Sequence, residues 1–569
     1  MTALRTLPET LVDAARSGRG FRFLNEQGEE RPCSYAEMLE LAARLGGALR
    51  ANGLKRGDRI ALVIQDPEGF LTAFLGASLA GLVPVPVCPP SSFGAREAYL
   101  ATTEHVLAAA KVSALLTAEP LEAGLRERAD HIGVSLVHRW DELHGPALAS
   151  IEPAALSDPA FMQFTSGSTA HPKGVVLTHA NLASNAAAIC GPRGLALGPE
   201  DFAVSWLPLH HDMGLIGMAL ASVWGQVNTA IMPPVLFLKR PTEWLKAIHR
   251  YRGTLSFAPS FAYELCLRRF KPAELEQLDL SCWRVAGCGA EPVRADTLEA
   301  FAHTFAAAGF NPRAFMPCYG MAEHTLAITF ASQNRSLQVD EISSEALVVR
   351  RRAAPPRGPR ERALRIVNCG RPFPGHEVRI VDEYGLPLPE RAVGEIVARG
   401  PSVMQGYFEQ PESTARALRD GWLHTGDEGY LSNGDLYVCG RQKDIVIVNG
   451  RNFYPEDLEW AVGELPGVRS GNVVAFGVGG LGSGDRERVV VVVESKGKLP
   501  ADELALEVRR RIVDSVGLQV DEVVIAPSGT VQRTSSGKVK RSQLKSQFES
   551  GTLRTKPTPT WISSTSYAP

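Results

Sequence analysis

The sequence lacks a long uninterrupted hydrophobic run, which excludes the usual pattern of a membrane-spanning helix. The first twenty residues, Met1 to Gly20, carry charges throughout, so we expect no secretory signal, no stable membrane insertion and a cytoplasmic location. Nine cysteines are scattered without a C-x-x-C pair or a paired metal-ligand spacing. That distribution favours free thiols in a reducing compartment over disulfides or zinc.

A charge excess of either sign is also missing, because 60 basic residues face 62 acidic ones. The overall field therefore gives no reason to expect nucleic acid or an anionic membrane as a partner. What the sequence does have is an ordinary globular composition, with 44% hydrophobic residues. Its 569 residues exceed what a single hydrophobic core usually supports, so at least two domains are expected.

Strands and helices alternate through the first two thirds of the chain. A capping pattern at Ser34 to Glu37 opens a helix that ends at Asn52-Gly53. Further elements are predicted at Ile60 to Ile64, Phe70 to Ala80 and Val83 to Val87, and the alternation continues through Trp206, Phe257 and Val285. This order predicts a layered α/β architecture with largely parallel sheets.

After Pro374 the pattern changes to short strands and turns, which suggests a distorted β-barrel subdomain. We therefore predict an α/β protein with a large N-terminal domain over residues 1–442, made of layered α/β subdomains plus this barrel. A smaller, mobile C-terminal α/β domain should cover residues 443–548. The remaining residues, 549–569, are mostly Thr, Ser and Pro towards their end and are expected to be disordered.

The segment from Phe161 to Gly174 reads F-M-Q-F-T-S-G-S-T-A-H-P-K-G, a strand that breaks into hydroxyls and glycine and closes on lysine. Gly167 permits a tight turn, so that successive backbone N–H groups can converge on an anion, and Lys173 adds a positive charge. Hydroxyl donors are supplied by Thr165, Ser166, Ser168 and Thr169. The pattern predicts a polyphosphate-binding loop, although not of the Walker type. The alternative is an ordinary hairpin turn with a surface lysine.

More motifs follow in a fixed order. They are His210-His211-Asp212-Met213-Gly214, Gly287-Cys288-Gly289-Ala290-Glu291-Pro292, Tyr319-Gly320-Met321-Ala322-Glu323, the run from Thr425-Gly426-Asp427 to Gly440-Arg441-Gln442-Lys443-Asp444, and Thr534-Ser535-Ser536-Gly537-Lys538. In this order the set closely resembles the adenylate-forming, AMP-binding superfamily, which includes acyl-CoA synthetases, luciferases and adenylation domains of peptide synthetases. The resemblance covers nearly the whole chain, from about residue 10 to residue 548.

The resemblance implies ATP and Mg²⁺ as cofactors. The loop from Thr165 to Lys173 would hold the β and γ phosphates, and Glu323 would ligate Mg²⁺ together with Thr165, because this ion prefers hard oxygen ligands. Taken alone, a glutamate after Tyr-Gly is more often a solvated or capping residue.

Nucleoside recognition is implied for two groups of residues. Gly289, Ala290 and Glu291 would let the adenine approach the backbone, and Tyr319, followed by Gly320 and Met321, would stack its ring on the base. Asp427 would accept both ribose hydroxyls, and Arg441 would donate to them. The alternatives are a buried structural tyrosine and a Gly-Asp turn with no ligand.

Two lysines have implied roles in the reaction itself. Lys443 would be the hinge between the domains, and Lys538 would approach the α-phosphate and the substrate carboxylate. The alternative for Lys538 is an exposed lysine beside Lys540. His211 would orient the acyl substrate; a metal site at His210-His211-Asp212 is not expected, because neighbouring side chains of a strand point to opposite faces.

The residues of these motifs resemble those of the fatty acyl-AMP ligase branch of the superfamily. The 47 positions from Glu323 to Gly370 resemble an insertion that disfavours coenzyme A, and seven arginines lie between Arg350 and Arg365. The expected reaction activates a medium- or long-chain fatty acid to acyl-AMP and passes it to a phosphopantetheinylated acyl carrier protein in trans. The alternatives are a fatty acyl-CoA synthetase and a non-catalytic nucleotide-binding protein on the same scaffold.

Overall fold

The computed structural model describes residues 4–90, 96–119, 121–134, 136–165, 173–359, 361–448, 451–463, 465–479, 487–497, 499–533 and 539–555. Among these residues, no helix combines the length and the apolar character that crossing a bilayer requires.

The first part of the chain alternates strands and helices as predicted. Its elements are α1 (Leu7–Ala14), β1 (Gly20–Leu24), β2 (Glu30–Ser34), α2 (Tyr35–Ala51), β3 (Arg59–Val63), α3 (Pro67–Leu79), β4 (Val83–Pro86), α4 (Arg96–Ala110), β5 (Ala114–Thr117), α5 (Glu122–His131), β6 (Leu136–Arg139) and β7 (Pro159–Thr165). Ser34 caps α2 by accepting a hydrogen bond from Glu37 N at 3.0 Å, whereas the Glu37 carboxylate accepts from Arg31 instead of completing the box.

The middle part continues the alternation and adds one irregular helix. Its elements are β8 (Lys173–Thr178), α6 (His179–Cys190), β9 (Phe202–Ser205), a π-helix (Met213–Leu220), α7 (Ala221–Gly225), β10 (Asn228–Ile231), α8 (Pro234–Lys239), α9 (Thr242–Tyr251), β11 (Leu255–Ala258), α10 (Ser260–Arg269), α11 (Pro272–Leu275), β12 (Val285–Cys288), α12 (Ala295–Phe305), β13 (Phe315–Gly320), a 3₁₀ turn (Ala322–His324) and β14 (Ala327–Phe330). Further 3₁₀ turns lie at Ala306–Ala308 and Pro312–Ala314.

The last part is rich in strands. Its elements are β15 (Val339–Ser343), α13 (Ser344–Arg350), β16 (Ala363–Val367), β17 (Arg371–Pro372), β18 (Glu377–Val381), β19 (Gly394–Arg399), β20 (Gly406–Tyr407), α14 (Pro411–Ala417), β21 (Leu418–Arg419), β22 (Trp422–Ser432), β23 (Asp435–Arg441), a 3₁₀ turn (Gln442–Asp444), β24 (Val446–Val448), β25 (Arg451–Phe453), α15 (Pro455–Gly463), β26 (Val468–Val478), β27 (Arg488–Ser495), α16 (Ala501–Val516), β28 (Glu522–Ala526) and α17 (Arg541–Glu549).

Two sheets with mainly parallel pairing form the layered α/β part. Within the described residues, one has the strand order β17-β14-β13-β12-β11-β9-β10-β1-β2 and is parallel from β1 through β13. The other, β4-β3-β5-β6, is parallel throughout. Because β11, β12 and β13 are parallel neighbours, the segments that follow them meet at one edge of the sheet, which is where the predicted nucleoside motifs begin.

The short strands after Pro374 form an antiparallel sheet. Its order is β18-β19-β22-β21, with β23 also pairing with β22. In the part of the chain that the structure describes, no pairing closes this sheet into a barrel.

The C-terminal part has a sheet and a hydrophobic core of its own. Strand β26 pairs antiparallel with β27, which pairs parallel with β28. Buried valines of these strands pack against α15 and α16. The chain is ordered slightly beyond α17, since Leu553 packs against the cluster that contains Phe476. Residues 556–569 of the predicted disordered tail lie outside the described residues.

Candidate active site

The predicted phosphate loop is carried by a β-hairpin. Strands β7 and β8 pair antiparallel, and Thr165 at the end of β7 is the register partner of Lys173 at the start of β8. The two residues that border the loop are therefore held across from each other. The loop residues between them, including Ser166, Gly167, Ser168 and Thr169, lie outside the described residues.

Tyr407 connects the base of this hairpin with Glu323. Its hydroxyl donates a hydrogen bond to Glu323 Oε1 at 2.9 Å. Its ring lies beneath the Lys173 ammonium, with Nζ 4.7 Å from the ring centroid. The structure thus brings together Lys173 and Glu323, which are separated by 150 positions in the sequence.

An unusual turn directly follows Glu323. Leu326 N donates to His324 O at 2.8 Å, which closes a γ-turn centred on Thr325 with φ 66° and ψ −61°. This γ-turn is rare and strained, especially for a β-branched residue. The turn is stabilised by a 2.7 Å hydrogen bond from Thr325 Oγ1 to Ser402 O. Strain of this kind persists only where surrounding contacts determine the conformation.

Tyr319, Asp427 and Arg441 form a second polar group. The Tyr319 hydroxyl donates to Asp427 Oδ2 at 2.7 Å, and Arg441 Nε lies 3.0 Å from Asp427 Oδ1. The negative charge of Asp427 raises the pKa of Arg441. Burial, followed by the same carboxylate, raises the pKa of Tyr319. Tyr319, Asp427 and Arg441 therefore meet, with the Asp427 carboxylate between the two donors.

The predicted adenine segment follows β12 directly. Gly289 packs so closely on Cys318 of β13 that a Cβ there would overlap the cysteine sulfur. Ala290 has a positive φ of 68°, in the left-handed region. The Glu291 carboxylate accepts a 2.7 Å hydrogen bond from Phe261 N near the start of α10. This side chain therefore has a structural contact, and the backbone of the segment is what a base would approach.

Gly320 is the last residue of β13, and Met321 follows it beside the Glu323 turn. A Cβ at Gly320 would collide with the carbonyl oxygen of Leu326. Met321 N donates to the same carbonyl at 2.8 Å. Only glycine fits at position 320 without shifting the backbone that leads to Glu323.

The predicted strand geometry at His210 and His211 is wrong. Both residues lie in a bent segment before the π-helix, and their ring centroids are 4.9 Å apart, so they do not face opposite sides of a strand. His210 is enclosed, and burial lowers its pKa to about 4. Among the described residues, no cluster of three or more His, Cys, Asp or Glu side chains is suited to a metal ion. The expectation of no metal at His210-His211-Asp212 stays a prediction.

An apolar cavity lies beside the π-helix. The sequence suggests Trp206, Met218 and Phe257 as residues that line an acyl pocket. Met218 and Phe257 border this cavity together with Gly217 and Leu255. The third, Trp206, instead stacks on Phe237 with ring centroids 3.8 Å apart. π-helical segments occur frequently at functional sites.

The two predicted reaction lysines are placed differently. Lys443 lies in the 3₁₀ turn that follows Arg441, and burial together with the Arg441 charge lowers its pKa. Lys538 lies outside the described residues. The helix that follows it is anchored, because Arg541 pairs with Glu456 at 2.9 Å and also with Glu459.

The predicted insertion is a folded unit. Strands β15 and β16 pair antiparallel, and α13 follows β15 directly. Arg351 donates two 2.6 Å hydrogen bonds to the buried Glu428, which also accepts from the Tyr454 hydroxyl at 2.9 Å. Arg365 pairs with Glu299 at 2.6 Å. At least two of the seven arginines are thus structural.

Sequence reasoning missed Tyr407, the Thr325 turn and the contact of Arg351 with Glu428. Gly406-Tyr407 has no local sequence signal that marks it as functional. Its pairing with β8 joins parts of the chain that are distant in sequence. A β-branched residue such as Thr325 also gives no local signal for a positive φ.

The chemistry of the donors fits the ion that the resemblance implies. Glu323 offers a carboxylate and Thr165 a hydroxyl, both hard oxygen ligands of the kind that Mg²⁺ prefers. Few protein ligands suffice, since Mg²⁺ commonly keeps waters and takes the remaining oxygens from substrate phosphates.

Known proteins match this chain over most of its length. The model of the family described as "AMP-binding enzyme" matches residues 12–408. A protein of Caulobacter vibrioides, provisionally named as an acyl-CoA synthetase, is 38% identical over 96% of both chains. The medium-chain-fatty-acid–[acyl-carrier-protein] ligase JamA of Moorena producens is 34% identical over 94% of this chain and 93% of its own.

A solved structure from work on fatty acyl-adenylate ligases of E. coli and L. pneumophila superposes with a TM-score of 0.90. It is 35% identical to this chain, and the superposition covers 96% of this chain and 99% of the other.

Proposed function

This chain belongs to the AMP-binding enzyme family, and on that premise we propose that it is a fatty acyl-AMP ligase. It activates a medium- or long-chain fatty acid with ATP and transfers the acyl group to the phosphopantetheine thiol of an acyl carrier protein. The names of the JamA relative and of the E. coli and L. pneumophila enzymes support this branch of the family.

The first half-reaction joins two anions. A carboxylate oxygen of the fatty acid attacks the α-phosphorus of ATP, and pyrophosphate leaves with the electrons of the broken P–O bond. Because the reactants repel each other, catalysis consists mainly of positioning and of cancelling charge. Lys173 binds the β and γ phosphates, and Lys538 offsets the charge between the carboxylate and the α-phosphate. Mg²⁺, held by Glu323 and Thr165, would neutralise phosphate charge when bound.

The second half-reaction consumes the acyl-AMP. The carrier thiol attacks the acyl carbonyl, a thioester forms and AMP leaves. We propose that the C-terminal domain turns about Lys443 between the two steps, with domain boundaries at residues 442 and 443. The place of Lys443 in a short turn between two sheets is compatible with a hinge.

The observation that carries the proposal is the contact of Tyr319, Asp427 and Arg441 beside the group formed by Lys173, Tyr407 and Glu323. In this assignment the first group binds the nucleoside and the second binds its phosphates and metal. A non-catalytic nucleotide-binding protein would make the same contacts, and ATP–pyrophosphate exchange separates it from a ligase.

The experiment measures each half-reaction separately. Fatty acids of about six to eighteen carbons are offered with ATP, and ATP–pyrophosphate exchange reports acyl-AMP formation. Coenzyme A and a holo acyl carrier protein are then supplied in parallel, and the thioester products are quantified by mass spectrometry. The apo carrier, which lacks the thiol, is the matched control.

The proposal requires exchange with a fatty acid and thioester formation on the holo carrier. Absence of exchange across the whole panel would exclude adenylation of fatty acids. Efficient acyl-CoA formation with no loading of the carrier would favour the alternative, a fatty acyl-CoA synthetase.

A further inference from the structure

We propose that Tyr407 is a positioning residue for the activation step, which fixes the Lys173 ammonium and the Glu323 carboxylate relative to each other. The inference rests on the proposed function, since it assumes that these two groups serve the phosphates and the metal of ATP. Neither the motifs nor the family resemblance assigned a role to Tyr407.

The two contacts use different parts of the side chain. The hydroxyl donates to Glu323 Oε1 at 2.9 Å, so one carboxylate oxygen is fixed by the protein. The ring faces the Lys173 ammonium, whose Nζ is 4.7 Å from the centroid, within the range of a cation–π interaction. A tyrosine can make both contacts, whereas phenylalanine can make only the second.

The backbone holds Tyr407 firmly between its two partners. On one side, Met404 N donates to Glu323 O at 2.8 Å. On the other side, Phe408 N donates to Gly174 O at 2.8 Å, and β20 pairs with β8. Tyr407 N itself donates to Thr414 Oγ1 at 2.9 Å. The segment therefore bridges the turn that carries Glu323 and the strand that begins with Lys173.

The hydroxyl and the ring of Tyr407 should affect different steps of nucleotide binding. Partners that hydrogen-bond a metal ligand orient it, and removing them typically lowers metal affinity about 10- to 100-fold. A cation–π contact instead orients the ammonium that meets the phosphates. Losing the hydroxyl should therefore weaken the effect of Mg²⁺, and losing the ring should weaken nucleotide binding even without Mg²⁺.

The test uses the full chain and a non-hydrolysable ATP analogue. Calorimetry measures the affinity of the analogue in excess EDTA and in excess Mg²⁺ for the wild type, Tyr407→Phe and Tyr407→Leu. The matched control is Tyr384→Phe, because Tyr384 is 80% exposed on a surface turn. Thermal unfolding of each variant reports whether the fold is intact.

We expect Tyr407→Phe to keep the wild-type affinity for the analogue in EDTA. The Mg²⁺ gain, which is the factor by which Mg²⁺ raises this affinity, should be roughly tenfold smaller than in the wild type. Tyr407→Leu should also lose roughly threefold in EDTA. In a Glu323→Gln background, Tyr407→Phe should have almost no further effect on the Mg²⁺ gain, because coupled residues are not additive.

Two results overturn the inference. One is an unchanged Mg²⁺ gain in Tyr407→Phe, including a decrease of equal size in EDTA and in Mg²⁺, which a purely structural role would give. The other is a wild-type affinity of Tyr407→Leu in EDTA. These outcomes differ from failure of the proposed function, in which the wild type itself would show no ATP–pyrophosphate exchange with any fatty acid.

Discussion

Asp427 and Arg441 are register partners across β22 and β23, with Arg441 Nε 3.0 Å from Asp427 Oδ1. The pairing places a half-exposed arginine beside a buried carboxylate, and Tyr319 donates to the other carboxylate oxygen. One acceptor thus organises two donors at the position where we propose that the ribose binds.

Replacing Asp427 by alanine should weaken nucleotide binding before it affects chemistry. Each hydrogen bond from a ribose hydroxyl to the charged acceptor contributes about 1.5–3 kcal/mol. Calorimetry with a non-hydrolysable ATP analogue measures the loss, and Asp514→Ala, on the exposed face of α16, is the control. An unchanged affinity would leave Asp427 a purely structural residue.

Replacing Lys538 by alanine should greatly slow acyl-AMP formation and leave ATP affinity nearly unchanged. The lysine acts on charge that develops in the transition state, and loss of one such group typically lowers the rate about 100- to 1,000-fold. ATP–pyrophosphate exchange measures the effect. Lys540→Ala, two positions away and exposed, should keep the wild-type rate; near-normal exchange by the Lys538 variant would refute its role.

Lys443→Pro should separate the half-reactions. The φ of proline, near −65°, suits the 3₁₀ turn of the present conformation, but it prevents the backbone change that a hinge requires. Adenylation should survive while transfer to the carrier fails. Since proline also restricts the preceding Gln442, thermal unfolding is measured in parallel. An equal decrease in both rates would contradict the hinge assignment.

The exposed arginines of the insertion should speed the encounter with an acidic carrier protein. The structure limits the test to Arg350, Arg352 and Arg357, which are exposed. Arg351 and Arg365 have structural ion pairs, Arg362 is half-buried, and Arg360 lies outside the described residues. Changing these three to glutamate should slow carrier loading about tenfold at low ionic strength, with the difference shrinking as salt rises. Adenylation should stay unchanged.

The control for this experiment reverses the same number of charges elsewhere. Arg16, Arg416 and Arg510 are exposed and distant from the insertion in sequence, so the variant with glutamate at these positions has the same net charge. If both variants load the carrier at the same rate, the arginines do not steer it.

Acidification should destabilise the contact between α1 and α6. The buried His179 accepts a hydrogen bond from Leu7 N through Nδ1 at 3.2 Å, which requires a neutral ring. Burial lowers the pKa of His179 from 6.5 to about 4, although Asp158 and Glu9 oppose the shift. The unfolded chain then binds more protons between these values, so stability is lost as the pH falls from about 6.5 to about 4.

The size of this contribution is about 3 kcal/mol. His179→Asn retains an acceptor near the Nδ1 position but does not titrate, so its melting temperature should depend less on pH over this range. Thermal unfolding of both proteins at pH 4 to 7 measures the difference. Parallel curves would show that His179 does not titrate on unfolding.

The layered α/β fold could be predicted because its signals are local. The cap at Ser34 and the strand at Ile60 to Ile64 follow from neighbouring residues, and the structure has α2 and β3 at these positions. The candidate site was predicted less completely. Tyr407 reaches Lys173 only because β20 pairs with β8, a long-range contact that no local pattern specifies.

The error at His210 and His211 has a related cause. The sequence predicts a strand with alternating faces, whereas the chain bends there and enters a π-helix. Likewise, the sequence shows Arg351 only as one of seven arginines in a short stretch, whereas in the structure it pairs with the buried Glu428. In both cases the packing of the surrounding elements decides the conformation, and the sequence pattern alone does not contain it.

Asp427 and Glu428 are neighbours on β22 and therefore point to opposite faces. One meets Tyr319 and Arg441, while the other meets Arg351 and Tyr454. A single-residue insertion or deletion in this strand would exchange the faces of every side chain beyond it. The turn at Asn433-Gly434, where both residues have positive φ, sets the register of β22 as far as Gly429, and a bulge on β23 at Cys439 shifts it by one residue before Asp427 meets Arg441. Single-residue changes of length among homologous sequences should therefore be confined to this bulge or to segments outside the hairpin.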